Sequence, residues 1–247
     1  MTLKNIDIAL SSKQVGNTRV YLWIGKCDSS SKQIFQMKAL LSPGELKRAG
    51  VFHFTHDFLR YICAYATLRV ILSQYCGVPP HKLDFMSNSN GKPFLNNHPE
   101  IRFNLSHTQD IIAIAVTFGH DVGVDIEKYV SIDTMNDLSK KIMTGTEYRQ
   151  FMNSTPDEQT LFFYKCWVRK EAVVKAWGKG IDDNLCDIAV MEDGINSTQK
   201  IISIHDRDDP KTWRVQDIDL DCQCTGAVCV EGDSFELKLE DLYSIKW

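Results

Sequence analysis

The sequence predicts an α+β protein built as a pseudo-dimer: two similar halves, each a long helix packed on a small antiparallel sheet, with the active site in the cleft between them. Three observations lead there. Two long segments carry apolar residues at helical spacing, strand-like runs lie between them, and the two segments align when the chain is offset by 103 residues. The expected division is an N-terminal half, 1–117, and a C-terminal half, 118–247, that carries the acidic motifs.

In chain order, Ser42-Pro43-Gly44-Glu45 reads as a short helix start, with serine as cap and proline at the first position. From Thr55 to Cys76, the residues Phe58, Ile62, Tyr65, Leu68, Ile71, Leu72 and Tyr75 recur at spacings of three and four, the stripe of an amphipathic helix. Gly77 and Pro79-Pro80 stop it. Ile111–Thr117 and Asp121–Glu127 are strand-like runs joined by a turn around Gly119. Met143-Thr144-Gly145-Thr146-Glu147 is another helix start, with Thr144 as cap and Glu147 three residues on. The second long helix runs from about Pro156 to Trp177, opened by the capping box of Thr155 and Glu158 and closed by Gly178 and Gly180. At the 103-residue offset Tyr61 falls on Tyr164, Cys63 on Cys166, Val70 on Val173, Gly77 on Gly180 and Asp84 on Asp187. A duplicated helix-and-strands unit leaves such matches, and so does the best of many chance offsets.

A chain of 247 residues with 43% hydrophobic and 24% charged residues holds one large domain or two small ones, and is not a mostly disordered protein. Its formal net charge of −4 excludes a general nucleic-acid binder, which needs a basic excess. The segment from Met1 to Lys13 has no apolar stretch of signal-peptide type. The longest unbroken apolar run, Ile111 to Val116, is far short of the roughly 20 residues of a membrane-spanning helix, so a soluble, cytoplasmic protein is expected. None of the eight cysteines forms a Cys-x-x-Cys or a zinc spacing. They are expected as reduced, inert thiols, with Cys63, Cys76 and Cys166 as small core residues. His53 and His56 stand three apart but have no third ligand nearby. No glycine-rich phosphate loop ending in Gly-Lys-Ser or Gly-Lys-Thr occurs, which removes the commonest nucleotide hydrolases.

Two constellations carry chemistry. Val122-Gly123-Val124-Asp125-Ile126-Glu127 alternates, so Val122, Val124 and Ile126 face the core while Gly123, Asp125 and Glu127 share the opposite face. Two strand positions lie about 6.6 Å apart at the backbone. Both carboxylates can then converge on one hard cation through oxygen bonds of about 2.1 Å, and Gly123 leaves room on that face for something bulky. The other reading of an Asp-x-Glu is a solvated strand face. On the second long helix Trp167, Glu171 and Lys175 are spaced by four and project along one face, with Lys170 about 100° round the axis. The plainer reading is a surface pair of Glu171 and Lys175, worth about 0.3–0.5 kcal/mol.

Gly123-Val124-Asp125-Ile126-Glu127-Lys128, followed about forty residues later by Trp167-x-x-Lys170-Glu171-x-x-x-Lys175, resembles the paired signature of the 4′-phosphopantetheinyl transferases. Gly91-Lys92-Pro93 and Phe103-Asn104-Leu105-Ser106-His107 match that family in content and order, and the chain length resembles its larger, monomeric, surfactin-synthetase-activating type. The likeness covers roughly residues 42 to 181.

This resemblance implies that coenzyme A binds between the halves and that Asp125, Glu127 and Glu171 surround Mg²⁺, with Mn²⁺ as a substitute. Mg²⁺ takes only one or two protein carboxylates directly, so Glu127 or Glu171 is expected to act through water. The implied reaction is attack by a serine hydroxyl of an apo acyl, peptidyl or aryl carrier protein on the β-phosphorus, releasing 3′,5′-adenosine bisphosphate. Asp125, Glu171 and Lys175 form the implied catalytic set. Lys170 and Lys175 match pyrophosphate-contacting lysines, and Glu171 or a metal-bound hydroxide is placed to take the serine proton. Lys92, Ser106 and His107 match residues at the nucleotide end, including its 3′-phosphate, and Arg60 matches an arginine reaching the same phosphate. Family members often carry basic residues where Glu45 and Arg48 stand, so Glu45 weakens the expected grip on the 3′-phosphate. The alternative is a non-catalytic module that binds coenzyme A or docks carriers. The identity of the carrier is left open.

Overall fold

The computed structural model describes residues 18–27, 31–179, 185–191, 199–204, 211–220, 223–242 and 245. The elements in chain order are β1 (Thr18–Lys26), α1 (Ser31–Lys38), α2 (Pro43–Ala49), α3 (Thr55–Cys76), β2 (Phe85–Ser87), β3 (Pro93–Leu95), β4 (Ile101–Thr108) and β5 (Ile111–Phe118). They continue with β6 (Val122–Lys128), α4 (Met135–Ile142), α5 (Gly145–Asn153), α6 (Pro156–Trp177), β7 (Gln199–Ile204), β8 (Lys211–Leu220), β9 (Cys224–Glu231) and β10 (Phe235–Asp241).

Periodicity and caps place the helices. Ser42 and Glu45 close a reciprocal capping box at α2, Thr144 and Glu147 do so at α5, and Thr155 and Glu158 at α6. Both long helices are 22 residues and end on a left-handed glycine, Gly77 at φ 67° and Gly178 at φ 72°. These stops are 101 residues apart, so the repeat is real in the fold but two residues short of the sequence alignment. Gly180, the other expected stop, lies outside the described residues.

The strands form two four-stranded sheets, β10-β1-β5-β4 and β6-β9-β8-β7, and a small β2-β3 hairpin. Strands β5 and β6 sit in different sheets, so the turn around Gly119 (φ 74°) is a crossing between halves and not a hairpin. Strand β10 pairs parallel with β1, Val20 opposite Leu237. The first half thus takes an edge strand from beyond residue 117, and 235–241 departs from the expected division.

Helix α3 packs Ile62, Leu68, Ile71 and Leu72 in one cluster with Trp23, Ile112, Ile114 and Val116 of the first sheet. Helix α6 packs Phe162, Cys166 and Val173 with Trp213, Val215, Ala227 and Cys229 of the second. A third cluster joins the two sheets: Val20, Leu22, Ala113 and Ala115 meet Val122, Val124, Ile126, Val228 and Val230. Each fully buried valine, leucine or isoleucine stabilises the fold by about 1.5–3 kcal/mol, so the halves share a substantial core.

The duplication extends to buried charge. At the 101-residue offset Arg69 of α3 falls on Lys170 of α6. Arg69 pairs with Glu45 at 2.8 Å and donates to the carbonyls of Pro80 and Leu83 at 2.7 and 3.1 Å. Lys170 pairs with Glu147 at 2.8 Å and donates to the carbonyls of Leu185, at 2.9 Å, and Ile188. In each half a buried cation ties the capping-box glutamate of a short helix to the 3₁₀ turn that follows the long one. Full pairing is what makes such burial tolerable, because an unpaired buried charge costs several kcal/mol.

The cysteine expectation needs correction. Cys27, just after β1, and Cys63, on the inner face of α3, form a disulfide with Cα atoms 6.1 Å apart. Cys76, Cys166, Cys186, Cys224 and Cys229 are free, and Cys222 lies outside the described residues. Among the described residues no helix is long and apolar enough to cross a membrane.

Candidate active site

Strand β6 pairs with β9 on one side only; its other edge faces β4 of the first sheet. Side chains do there what a neighbouring backbone would do. Asn104 Oδ1 accepts from Val124 N–H at 2.9 Å, Ser106 Oγ from Ile126 N–H at 3.3 Å and Thr108 Oγ1 from Lys128 N–H at 3.2 Å. The two hydroxyls then donate to the acids of the same strand: Ser106 to Asp125 Oδ1 at 2.9 Å and Thr108 to Glu127 Oε2 at 3.3 Å. Period-two polarity on β4 therefore joins the halves and aims both carboxylates.

Helix α6 lies on the other side of this strand. A Cβ at Gly123 would stand 2.1 Å from Ala172 O and 2.4 Å from Ala176 N. The space at Gly123 is thus filled by helix backbone and is not room for a ligand, which corrects the sequence reading. That close approach brings Glu171 and Lys175 to Asp125. Lys175 Nζ lies 2.5 Å from Asp125 Oδ1 and 3.3 Å from Ser106 Oγ.

Asp125, Glu127, Glu171, Lys175, Ser106 and His107 all line one cavity of about 390 Å³, together with Trp167. Its remaining wall comes from the first half: Arg48, Phe52, Leu105 and the stacked pair Tyr61 and Tyr65, whose ring centroids are 4.3 Å apart. Burial, then repulsion from Asp125, raises the pKa of both Glu127 and Glu171; Lys175 opposes the rise in each. Loss of water around its ring, followed by Arg60 and Lys175, lowers that of His107. Asp125 Oδ2 and Glu171 Oε1 are buried without a hydrogen-bond partner.

Those two oxygens are the test of whether an oxygen-seeking cation suits the site. Among the described residues no three His, Cys, Asp or Glu side chains cage an ion by themselves. An incomplete set of protein carboxylates is nevertheless the habit of Mg²⁺, which keeps water and substrate oxygens. Lys175 now supplies the positive charge beside Asp125. The donor set fits Mg²⁺.

Four residues stand differently from the expectation. Lys170 is fully buried between Glu147 and the 185–188 turn, so it is not a pyrophosphate ligand; its position about 100° from Glu171 turns it into the core. Lys92 borders a different cavity, of about 180 Å³, and its ammonium is held by the carbonyls of Val122 and Ala176. Glu45 is consumed by its capping box and by Arg69, so it does not oppose the nucleotide; Arg48, on the same helix, does reach the cavity. Arg60 pairs with Asp57 at 3.5 Å and stands near His107 without lining the cavity. Sequence reasoning gave Asn104 no role of its own and missed Thr108. The alternation Asn104, Ser106, Thr108 against Phe103 and Leu105 was the available signal.

The fold and the cleft define a two-lobed α+β enzyme with a carboxylate–lysine centre where the lobes meet. Residues 121–230 match the model of the 4′-phosphopantetheinyl transferase superfamily, and residues 26–119 match that of 4′-phosphopantetheinyl transferase, N-terminal. The chain is 31% identical over 223 residues to the 4′-phosphopantetheinyl transferase HetI of Nostoc sp., covering 89% of this chain and 90% of that one. It is 30% identical over 203 residues to the transferase psf-1 of Bacillus pumilus, covering 81% and 83%. With the L-aminoadipate-semialdehyde dehydrogenase-phosphopantetheinyl transferase of Xenopus laevis it shares 27% over 233 residues, 87% and 76% of the two chains. The chain belongs to the 4′-phosphopantetheinyl transferase family. It is an enzyme that transfers phosphopantetheine to carrier proteins.

Proposed function

We propose that the cleft holds the diphosphate of coenzyme A on a divalent cation, Mg²⁺ or Mn²⁺, bound by Asp125, Glu171 and Glu127. The observation that carries this reading is the pair of buried, partnerless oxygens, Asp125 Oδ2 and Glu171 Oε1, beside one lysine. When bound, the cation supplies charge neutralisation on the diphosphate and its leaving group. Lys175 has one ammonium hydrogen beyond the two given to Asp125 and Ser106, and offers it to a phosphoryl oxygen. Ser106 and Thr108 keep Asp125 and Glu127 turned toward the cavity. Glu171, made less acidic by burial and by its neighbours, accepts the proton of the attacking carrier serine. The new bond is serine oxygen to β-phosphorus; the bond that breaks is the one to the oxygen of 3′,5′-adenosine bisphosphate, which departs. Arg48 and His107 line the end of the cleft that receives the nucleotide, and Arg60 stands near His107 without lining it.

Two halves meeting at 117 and 118 supply both walls, so a monomer suffices, working in the cytoplasm where coenzyme A and carriers are found. The test is intact-mass measurement of apo acyl, peptidyl and aryl carrier domains incubated with the chain, coenzyme A and Mg²⁺. A gain of one phosphopantetheine on at least one carrier, abolished by chelation, is expected. No gain on any of them would leave a coenzyme A-binding or carrier-docking module in place of a transferase.

A further inference from the structure

Three side chains at the tip of the β2–β3 hairpin close the C-terminal end of α6 from the opposite half. Asn88 Nδ2 and Asn90 Nδ2 both donate to Gly178 O, at 2.9 and 3.1 Å. Lys92 Nζ donates to Ala176 O at 2.8 Å and to Val122 O at 3.2 Å. The last carbonyls of a helix have no partner within it, and a cation suits the negative end of the helix dipole. The three donors therefore meet a local physical need, but the attachment points matter more. Ala176 follows Lys175, and Val122 opens the strand that presents Asp125. One ammonium joins the helix and the strand whose side chains meet in the cleft.

The tip is built to hold this position. Asn88 Oδ1 accepts from the backbone N–H groups of Asn90 and Lys92 at 3.0 and 2.9 Å, and Gly91 turns at φ 86°. On the helix side, a Cβ at Gly178 would lie 3.0 Å from Lys92 Cδ and 3.3 Å from Asn88 Nδ2, so the two surfaces are in close contact. Burial lowers the Lys92 pKa to about 8. No hairpin residue lines the cavity that holds Asp125 and Glu171.

We propose that Lys92, with Asn88 and Asn90, is a positioning clasp that sets the register of α6 against β6, and so the placement of Glu171 and Lys175 over Asp125, without touching the nucleotide of coenzyme A. This rests on the transferase reading of the cleft. It gives Lys92 a role different from the 3′-phosphate contact that the family resemblance implies.

The test compares Lys92→Met and Asn88→Ala with the parent chain, using coenzyme A and dephospho-coenzyme A as alternative donors to an apo carrier. Misplacing reacting groups by a fraction of an ångström lowers the chemical step, so kcat should fall about tenfold with either donor in both variants. The KM ratio between the two donors should stay unchanged. Asn88→Ala removes no positive charge, and its site at an exposed tip keeps the variant folded. A rise in KM for coenzyme A alone, seen in Lys92→Met and absent in Asn88→Ala, would overturn the clasp and make Lys92 a 3′-phosphate ligand. Amide hydrogen exchange gives a second readout that needs no turnover: the last turn of α6, residues 174–178, should exchange about tenfold faster in both variants. Unchanged exchange there overturns the clasp. A parent chain that transfers nothing to any carrier would sink the transferase reading instead, and the exchange result would still decide the clasp.

Discussion

Asp125 gives one carboxylate oxygen to Lys175 and Ser106 and keeps the other free of protein partners. Asp125→Ala should therefore lower kcat by about a hundredfold or more while leaving the circular dichroism spectrum unchanged. Near-normal rates in this variant at low Mg²⁺ would refute the metal assignment. Glu171 makes a second prediction, through pH. Its pKa is raised above the ordinary 4.5 by burial and by Asp125 and Glu127. Above pH 4.5 the folded chain then binds more protons than the unfolded chain, so this group's stabilisation is full at low pH and is lost as pH rises through the folded value. In the absence of divalent cations, Glu171→Gln should raise Tm at neutral pH and flatten its decline from mildly acid conditions. Added Mg²⁺ should raise the Tm of the parent chain and not that of the variant, as differential scanning fluorimetry would record. A variant whose Tm falls at neutral pH would contradict the crowding of acids.

At the scale of elements, the strand and helix that build the site touch at one glycine. Gly123→Ala places a methyl group 2.1 Å from Ala172 O, which forces α6 outward. Overpacking of this kind costs about 1–3 kcal/mol, and it should reduce kcat more than the stability loss explains, since Glu171 and Lys175 move with the helix. Urea unfolding and steady-state rates measure the two effects. The twin cations give a contrasting case: Lys170→Met leaves Glu147 buried without its partner and should cost about 3–5 kcal/mol, with KM for coenzyme A unchanged in the folded fraction. A raised KM with normal stability would restore Lys170 to the substrate. These elements show how far sequence reading goes. Periods of 3.6 and 2 and the capping boxes are local, so α3, α6, β6 and their boundaries were legible, and so was the shared face of Trp167, Glu171 and Lys175. The direction of Lys170 was not, because a helix has a core on one flank and a cleft on the other and local spacing does not say which. Its counterpart Arg69, bound to an equivalent glutamate, held the answer, but only in a repeat aligned at its helix stops.

At the scale of the molecule, the cluster between the two sheets makes the halves one folding unit. Val20 and Leu22 on one side and Val122, Val124 and Ile126 on the other are fully buried against each other. Urea unfolding followed at Trp23 in the first half and at Trp213 in the second, in variants where other tryptophans are replaced, should give a single shared midpoint. Two separate midpoints would mean that the halves are independent. The Cys27–Cys63 bridge, the separation of β5 from β6 and the crossing of β10 were not legible, because each depends on contacts between distant parts of the chain.

The parallel pairing of β10 with β1 also bears on how the protein is made. A ribosome emits β1 about 200 residues ahead of Phe235–Asp241, and at about 20 residues per second or slower the two are separated by on the order of ten seconds. For that interval the nascent chain carries the outer edge of β1 without its native neighbour, an open seam that chaperones are suited to shield. The first lobe to be synthesised is thus the last to be completed.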